Sequence, residues 1–278
     1  MMSLADYKLE KNRIARSFAA AAGTYDAHAS LQRSIANKLL AKLAEQELSD
    51  SSTNKRNKIK RILDLGSGTG YSTKALQNLF PSAEIISLDI AEAMLRHARE
   101  LHLEDACNEK FVCADAEALP FNPGSFDLIF SSLAIQWCQN YTELFSELKR
   151  VLKPVGKIFI ATFGPQTLQE LKRAWLEVDS FVHVNQFHSE RHLQSNINKN
   201  DFRYLISQKD KLLVYYQNFE ELGRELKSIG ARNMNQGRGK GLSGREKIAK
   251  LKAAFEKEAR QGAGIPVTYQ VFYLSAQG

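Results

Sequence analysis

Apolar residues near the start of the chain recur every three or four positions, which predicts helix over residues 10 to 47. Lys11 to Ala22 places Ile14, Ala15, Phe18 and Ala22 on one face. Gly23 reads as a stop and Thr24-Tyr25-Asp26 as a short break. Ala27 to Glu47 then carries Leu31, Ile35, Leu39 and Leu43 four apart. Tyr25 is thereby expected at a joint between two helices, where its ring either packs or meets a ligand. Ser49 to Lys58 holds no apolar residue and reads as a linker.

From residue 60 the pattern changes to short apolar runs alternating with helical periods. Ile62, Leu63 and Leu65 read as a buried parallel strand. Tyr71 to Leu79 follows as helix, Ala83 to Leu88 as strand and Ala91 to His102 as helix. Further strands are expected at Phe111 to Cys113, Phe126 to Phe130 and Lys157 to Thr162. A helix over Tyr141 to Leu152 and the turn Lys153-Pro154-Val155-Gly156 precede the last of these. This alternation predicts an α/β, Rossmann-like fold with a mainly parallel sheet covered on both faces. Past Phe163 come a helix over Gln166 to Val178 and a polar stretch that ends near Asn200. Phe202 to Tyr216 is one bent strand or a hairpin, and Phe219 to Ile229 is a helix closed by Gly230. Arg245 to Gln261 reads as helix and Val267 to Leu274 as a final strand.

Composition narrows the class. A chain of 278 residues with 44% hydrophobic and 25% charged residues suits a globular α/β protein. No run approaches the ~18 apolar residues of a membrane span. The start lacks the apolar core of a signal peptide. Three cysteines, Cys107, Cys113 and Cys138, leave at least one unpaired and show no C-x-x-C spacing, so a reducing cytoplasm is expected. The net charge of +7 suits an acidic partner, either a nucleic acid or an acidic carrier protein, or is a solvated surplus of Lys, and charge alone does not separate these.

The candidate chemistry lies in Asp64-Leu65-Gly66-Ser67-Gly68-Thr69-Gly70, between the first core strand and its helix. Such a turn lets a ligand approach backbone N–H groups at a helix N-terminus. The dinucleotide spacing G-x-G-x-x-G would put its third glycine at Tyr71, and no P-loop lysine follows. The stretch resembles motif I of class I S-adenosylmethionine (SAM)-dependent methyltransferases. Asp89, about twenty residues on, ends the next strand, where an acid accepts from ribose hydroxyls. Asp115-Ala116 stands where that superfamily commonly binds the adenine amino group. The resemblance implies a seven-stranded sheet, one strand antiparallel, with N-terminal helices and helical insertions over the active site. Residues 1–58 would pack on the core, 59–163 would bind SAM, and 164–278 would supply the substrate side and complete the sheet, all in one structural domain.

Two nucleic-acid-modifying signatures are missing. Trp137, not Pro, precedes Cys138, and Ser131-Ser132-Leu133-Ala134 stands where amino-methylating enzymes carry N-P-P-[FY]. His188 and His192 are four apart without a third metal ligand, so no metal is expected. The loop Arg238-Gly239-Lys240-Gly241 either holds phosphate or is solvated charge.

Both ends of the chain are similar to one subgroup, the malonyl-[acyl-carrier protein] O-methyltransferases of biotin synthesis. The matching residues are Arg13-Ile14-Ala15-Arg16-Ser17-Phe18, Tyr25-Asp26 and Ala29-Ser30-Leu31-Gln32. They continue in His183-Val184-Asn185-Gln186-Phe187, Gly241-Leu242-Ser243-Gly244-Arg245 and Pro266-Val267-Thr268-Tyr269. Gln186 stands where the subgroup has Arg. The resemblance implies methylation of the free carboxylate of a malonyl thioester on an acidic acyl-carrier protein. Because a carboxylate is already ionised near neutral pH, no general base and no metal are expected, nor a nucleic-acid or membrane partner. The resemblance also implies SAM contacts at Asp64, Gly66, Ser67, Gly68, Thr69, Gly70, Asp89, Asp115 and Ala116. Tyr25, His183, Asn185, Phe187 and Arg245 become substrate-pocket candidates. Two rivals are methylation of another small carboxylic acid or quinone precursor, and an RNA-binding SAM-dependent protein.

Overall fold

A computed structural model describes residues 10–49, 59–102, 109–231, 244–259 and 264–278. The linker from residue 50, Cys107 and the basic loop at Arg238 to Gly241 lie outside the described residues. The chain begins with α1 (Lys11–His28) and α2 (Ser30–Ser49). The core then alternates β1 (Arg61–Leu65), α3 (Tyr71–Leu79), β2 (Glu84–Asp89), α4 (Glu92–Leu101), β3 (Glu109–Cys113), β4 (Phe126–Ser132), α5 (Tyr141–Val151) and β5 (Leu152–Phe163). The remainder is α6 (Gln169–Leu176), α7 (Glu190–Lys199), β6 (Arg203–Tyr216), α8 (Phe219–Ser228), α9 (Arg245–Glu256) and β7 (Ile265–Gln277).

The seven strands form one sheet in the order β3-β2-β1-β4-β5-β7-β6. β7 runs antiparallel to both its neighbours, and the first five strands pair in parallel. The order reverses between β1 and β4, so the crevice at a switch point opens above the C-terminal end of β1. Alternate residues of the central strands feed two cores. Leu63, Ile86 and Ile129 meet Leu144 and Phe145 of α5 on one face. Ile62, Ile85 and Leu128 meet Ile35 and Leu39 of α2 on the other. With both faces covered, the strands read as nearly continuous apolar runs. The single strand β6, with a shift between Tyr204 and Ile206, resolves the choice between bent strand and hairpin.

Several boundaries differ from the expected ones: α7 occupies part of the stretch read as polar, α9 ends at Glu256 and β7 runs from Ile265 to Gln277, and two further differences bear on the site. Gly23 does not stop the first helix: α1 continues to His28 and carries Tyr25 in its last turns. A glycine inside a helix costs only ~1 kcal/mol relative to alanine, and packing overrides it. Here the Thr24 hydroxyl donates to Ala21 O at 3.1 Å within the helix and to Ser228 O at 2.9 Å in α8. The expected turn at Lys153 to Gly156 is a bulge inside β5, where Leu152 pairs with Phe126 and Lys157 with Leu128.

α1 lies across the C-terminal ends of the strands. Ala21 and Ala22 pack on Ala91 and Met94, and Ile14 packs beside Ile90 and Trp137. α8 ends in a left-handed Gly230 (φ 73°), with Gly230 N–H to Lys227 O at 3.2 Å and Ala231 N–H to Leu226 O at 2.9 Å. The Ser17 hydroxyl donates to Gly230 O at 3.0 Å, tying α1 to that cap. No described helix is long and apolar enough to cross a membrane.

Candidate active site

The turn after β1 is shaped by close approach. Gly66 (φ 72°) leaves no room for a side chain, because a Cβ there would lie 2.1 Å from the Cβ of Ala134. Gly66 and Ser67 both donate their N–H to Leu88 O, at 2.7 and 3.0 Å, which locks the turn to β2. Gly68 faces open space instead. Beside it the Ser67 hydroxyl oxygen is buried without a partner. Buried polar atoms are nearly always paired, so an orphan beside an open cradle is what a bound polar ligand would satisfy.

Asp64 is buried beneath the turn and accepts from the Thr73 hydroxyl at 2.7 Å, joining β1 to α3. Burial raises its carboxyl to about 7, against the Thr73 hydrogen bond, and nearby Glu109 and Asp89 add to the rise. Asp89 spends one oxygen on Gly68 N–H at 3.0 Å and the other on Ala91 N–H at 2.8 Å. Burial raises its pKa too, while backbone N–H donors at Ala91, Gly68 and Ile90 oppose the rise.

Three clefts converge here. The first, about 790 Å³ of open space, is lined by Gly66, Gly68, Asp89, Asp115 and Ala116 and walled by apolar side chains such as Ile90 and Met94. Lys11, not anticipated from the sequence, also lines it and makes an ion pair to Asp115 at 2.5 Å and another to Glu117. Cys138 also lines this cleft, and burial pushes its thiol far above the usual range, so it carries no thiolate. A second cleft, about 1430 Å³, opens between α1, α6 and α8 and the segment 183–187. His183, Asn185 and Phe187 line it. His183 stacks on Trp175 with centroids 3.4 Å apart, and its Nε2 lies 2.7 Å from Asp179. A third, smaller cleft runs over the turn past Asp26, Arg33, Ser67 and Thr69, with the Thr69 hydroxyl donating to Asp26 at 2.6 Å.

Phe18, Tyr25, Leu133 and Trp137 line both the first and second clefts. Tyr25 also lines the third. Burial raises the Tyr25 hydroxyl well above its ordinary value, with the Asp89 and Asp26 charges adding, so it stays protonated. Leu133 is held at φ 54°, a strained value for leucine, with its N–H bonded to Ala161 O at 2.8 Å. That turn brings Leu133 and Ala134 over the glycines. Only the ring of Tyr25 among these four was singled out as a site residue from the sequence. Phe18 and Trp137 read there as helix face and Cys138's neighbour, with no signal for a shared wall.

Arg245 is not brought to the clefts. It is exposed at the first position of α9, which packs through Leu251 and Phe255, while Lys247 two residues on reaches Asp179 at 3.3 Å. Gly70 and Thr69 shape the turn from behind: a Cβ at Gly70 would meet the His102 ring at 2.5 Å. His188 and His192 stack at 4.3 Å and pack on Tyr141, and burial pushes His188 down to about 4. No group of three or more metal-ligating side chains occurs among the described residues.

Comparison with known proteins agrees with this architecture. The family described as a methyltransferase domain matches residues 63–160, which run from β1 into β5. The YcgJ protein of Bacillus subtilis shares the fold with a TM-score of 0.61 at 18% identity, over 87% of this chain and 98% of its own. The fold is that of a methyltransferase domain. The malonyl-[acyl-carrier protein] O-methyltransferase of Laribacter hongkongensis is 36% identical over 271 residues, 95% of this chain and 88% of that protein. The chain belongs to the malonyl-[acyl-carrier protein] O-methyltransferase family. It is also 43% identical over 266 residues to the biotin biosynthesis bifunctional protein BioHC of Cellvibrio japonicus, and spans about half of that protein's length, 50%.

Proposed function

We propose that the protein methylates the free carboxylate of malonyl-[acyl-carrier protein], with SAM as donor, giving the methyl ester that primes pimeloyl synthesis for biotin. The observation that carries this reading is the wall of Phe18, Tyr25, Leu133 and Trp137 shared by two clefts. A donor held in one and an acceptor entering the other would meet there. The orphaned Ser67 hydroxyl and the open face at Gly68 fit the methionyl part of SAM, and Gly66 and Gly70 keep the turn tight around it. Asp89 faces the ribose position and Asp115 with Ala116 the adenine position, Lys11 balancing the Asp115 charge. Asp64 acts from beneath, through Thr73, as the support of the turn.

Bound SAM supplies an electrophilic methyl on a sulfonium. A malonyl carboxylate is ionised near neutral pH, with an ordinary carboxylate pKa of ~4. The protein therefore needs no base, and the protonated Tyr25 and neutral Cys138 thiol are not nucleophiles. Its task is to align the carboxylate and exclude water. Such positioning supplies up to ~7 to 11 kcal/mol in favourable cases. Apolar Phe18, Leu133 and Trp137 serve desolvation. Residues 164–278 supply the acceptor side through Phe187, Asn185 and His183, the last acting through its stack on Trp175.

Methyl transfer from labelled SAM decides this. Base-labile label on malonyl-carrier protein, strongly preferred over free malonate, is the expected result. No transfer to either malonyl-carrier protein or malonyl-CoA, from protein that binds SAM, would replace this reading with methylation of a free small acid or phenol.

A further inference from the structure

The second cleft contains no Asp or Glu among its described lining residues, whereas the first contains Asp89 and Asp115 and the third Asp26 and Asp64. Its sign suits an anion, yet most of its polar side chains are already committed. Gln136 donates to Leu133 O at 2.7 Å and accepts from the Thr162 hydroxyl at 3.2 Å. The Thr167 hydroxyl donates to Gln270 O at 3.0 Å, and the Tyr269 hydroxyl lies 3.2 Å from that of Tyr216. His183 is paired with Asp179, and Asn185 is engaged in the protein. Lys227 is exposed on α8.

Gln32 is different. It sits on α2 and lines both the second and third clefts, as Tyr25 does. Its side-chain Oε1 is buried without a hydrogen-bond partner. A partner for this amide is therefore missing at the point where the acceptor cleft meets the glycine turn. Half a turn of the amide about its last bond exchanges Oε1 for the Nε2 donor, and no existing bond to Oε1 opposes that exchange.

We propose that the Gln32 amide donates to the non-attacking oxygen of the substrate carboxylate, making Gln32 the residue that selects a free acid at this site. The inference rests on the carboxyl-methylation reading above. One carboxylate oxygen faces the methyl donor while the other is held by Gln32 and the Tyr25 hydroxyl. A neutral amide orients the anion without the full charge of a guanidinium, which would hold the unreacted carboxylate and slow its attack. The third cleft does not need this amide, because Arg33, the free Ser67 hydroxyl and the start of α3 already offer donors there.

The near-isosteric Gln32→Glu and the uncharged Gln32→Met test this in the full chain, with SAM affinity measured by titration in the absence of acceptor. Both variants should bind SAM within about twofold of wild type while losing about tenfold or more in kcat/KM for the malonyl thioester. Gln32→Glu should lose more at pH 8 and regain activity as the pH falls, because burial and the facing substrate carboxylate raise the introduced carboxyl above its ordinary ~4.3, and once protonated it donates as the amide does. Gln32→Met should show no such recovery, and it decides the matter alone if Gln32→Glu does not fold. An unchanged kcat/KM for the malonyl thioester overturns the assignment. So does a loss matched by an equal loss of SAM affinity, which would place the amide on the cofactor. A wild-type protein that binds SAM but is inactive on every malonyl thioester overturns the malonyl-thioester reading on which the assignment rests.

Discussion

At the scale of single residues, Asp64 and Gly66 carry the sharpest consequences. The folded chain holds the Asp64 proton up to about 7, whereas an unfolded chain releases it near the ordinary value of ~4. Between those values the native state binds more protons, so the contribution of Asp64 to stability falls as pH rises and levels off above about 7. Asp64→Asn keeps an acceptor for Thr73 and removes the titration. Urea denaturation at pH 5 and pH 7.5 should show the variant gaining on wild type at the higher pH by an amount on the order of a few kcal/mol at most. Gly66→Ala meets both a positive φ and the Ala134 Cβ, so the turn must shift. Loss of SAM binding by more than about tenfold is expected, read by titration, together with a lower melting temperature. The glycines and Asp89 were legible because spacing alone places them. Gln32, Leu133 and Trp137 were not, since an apolar or amide residue on a helix or after a strand carries no mark of the cavity that it faces.

At the scale of elements, the site depends on how α1 is held. Local propensity pointed to a break at Gly23, but the bonds of Ser17 and Thr24 to the end of α8 keep α1 continuous and fix Phe18 against both clefts. Gly230 is the contact point: a Cβ there would come within 3.1 Å of Phe18 and of Ser17 O, at φ 73°. Gly230→Ala should therefore cost about 1–2 kcal/mol from the left-handed backbone alone. It should also raise the KM for both substrates by displacing Phe18. Thermal unfolding and steady-state kinetics check the two parts separately. α9 teaches the converse. Its sequence placed Arg245 at a helix start, and the packing of α9 through Leu251 and Phe255 leaves that residue exposed. Sequence similarity singled the residue out, but packing directed it to solvent.

At the scale of the whole molecule, a net charge of +7 would steer an acidic macromolecule such as the proposed carrier toward the protein. Raising salt from about 50 to 500 mM shortens the Debye length to under ~5 Å. The KM for malonyl-carrier protein should then rise several-fold, while that for a small malonyl thioester such as malonyl-CoA changes less. Equal salt effects on both would remove the carrier's surface from the explanation.

The amino-acid sequence by itself determined the alternation of strands and helices, the glycine turn and the acids that follow it. Those features depend on short-range periods and on backbone conformations that few residues tolerate. Only the tertiary structure decided that α1 runs on past Tyr25, that the β5 turn is a bulge, and that Phe18, Tyr25, Leu133 and Trp137 form one wall. The reason is that a cleft is made by residues far apart in the chain. Gln32, Trp137 and Tyr269 meet around one space because the sheet order and the packing of α1, α2 and α8 bring them there, and no local pattern records that meeting.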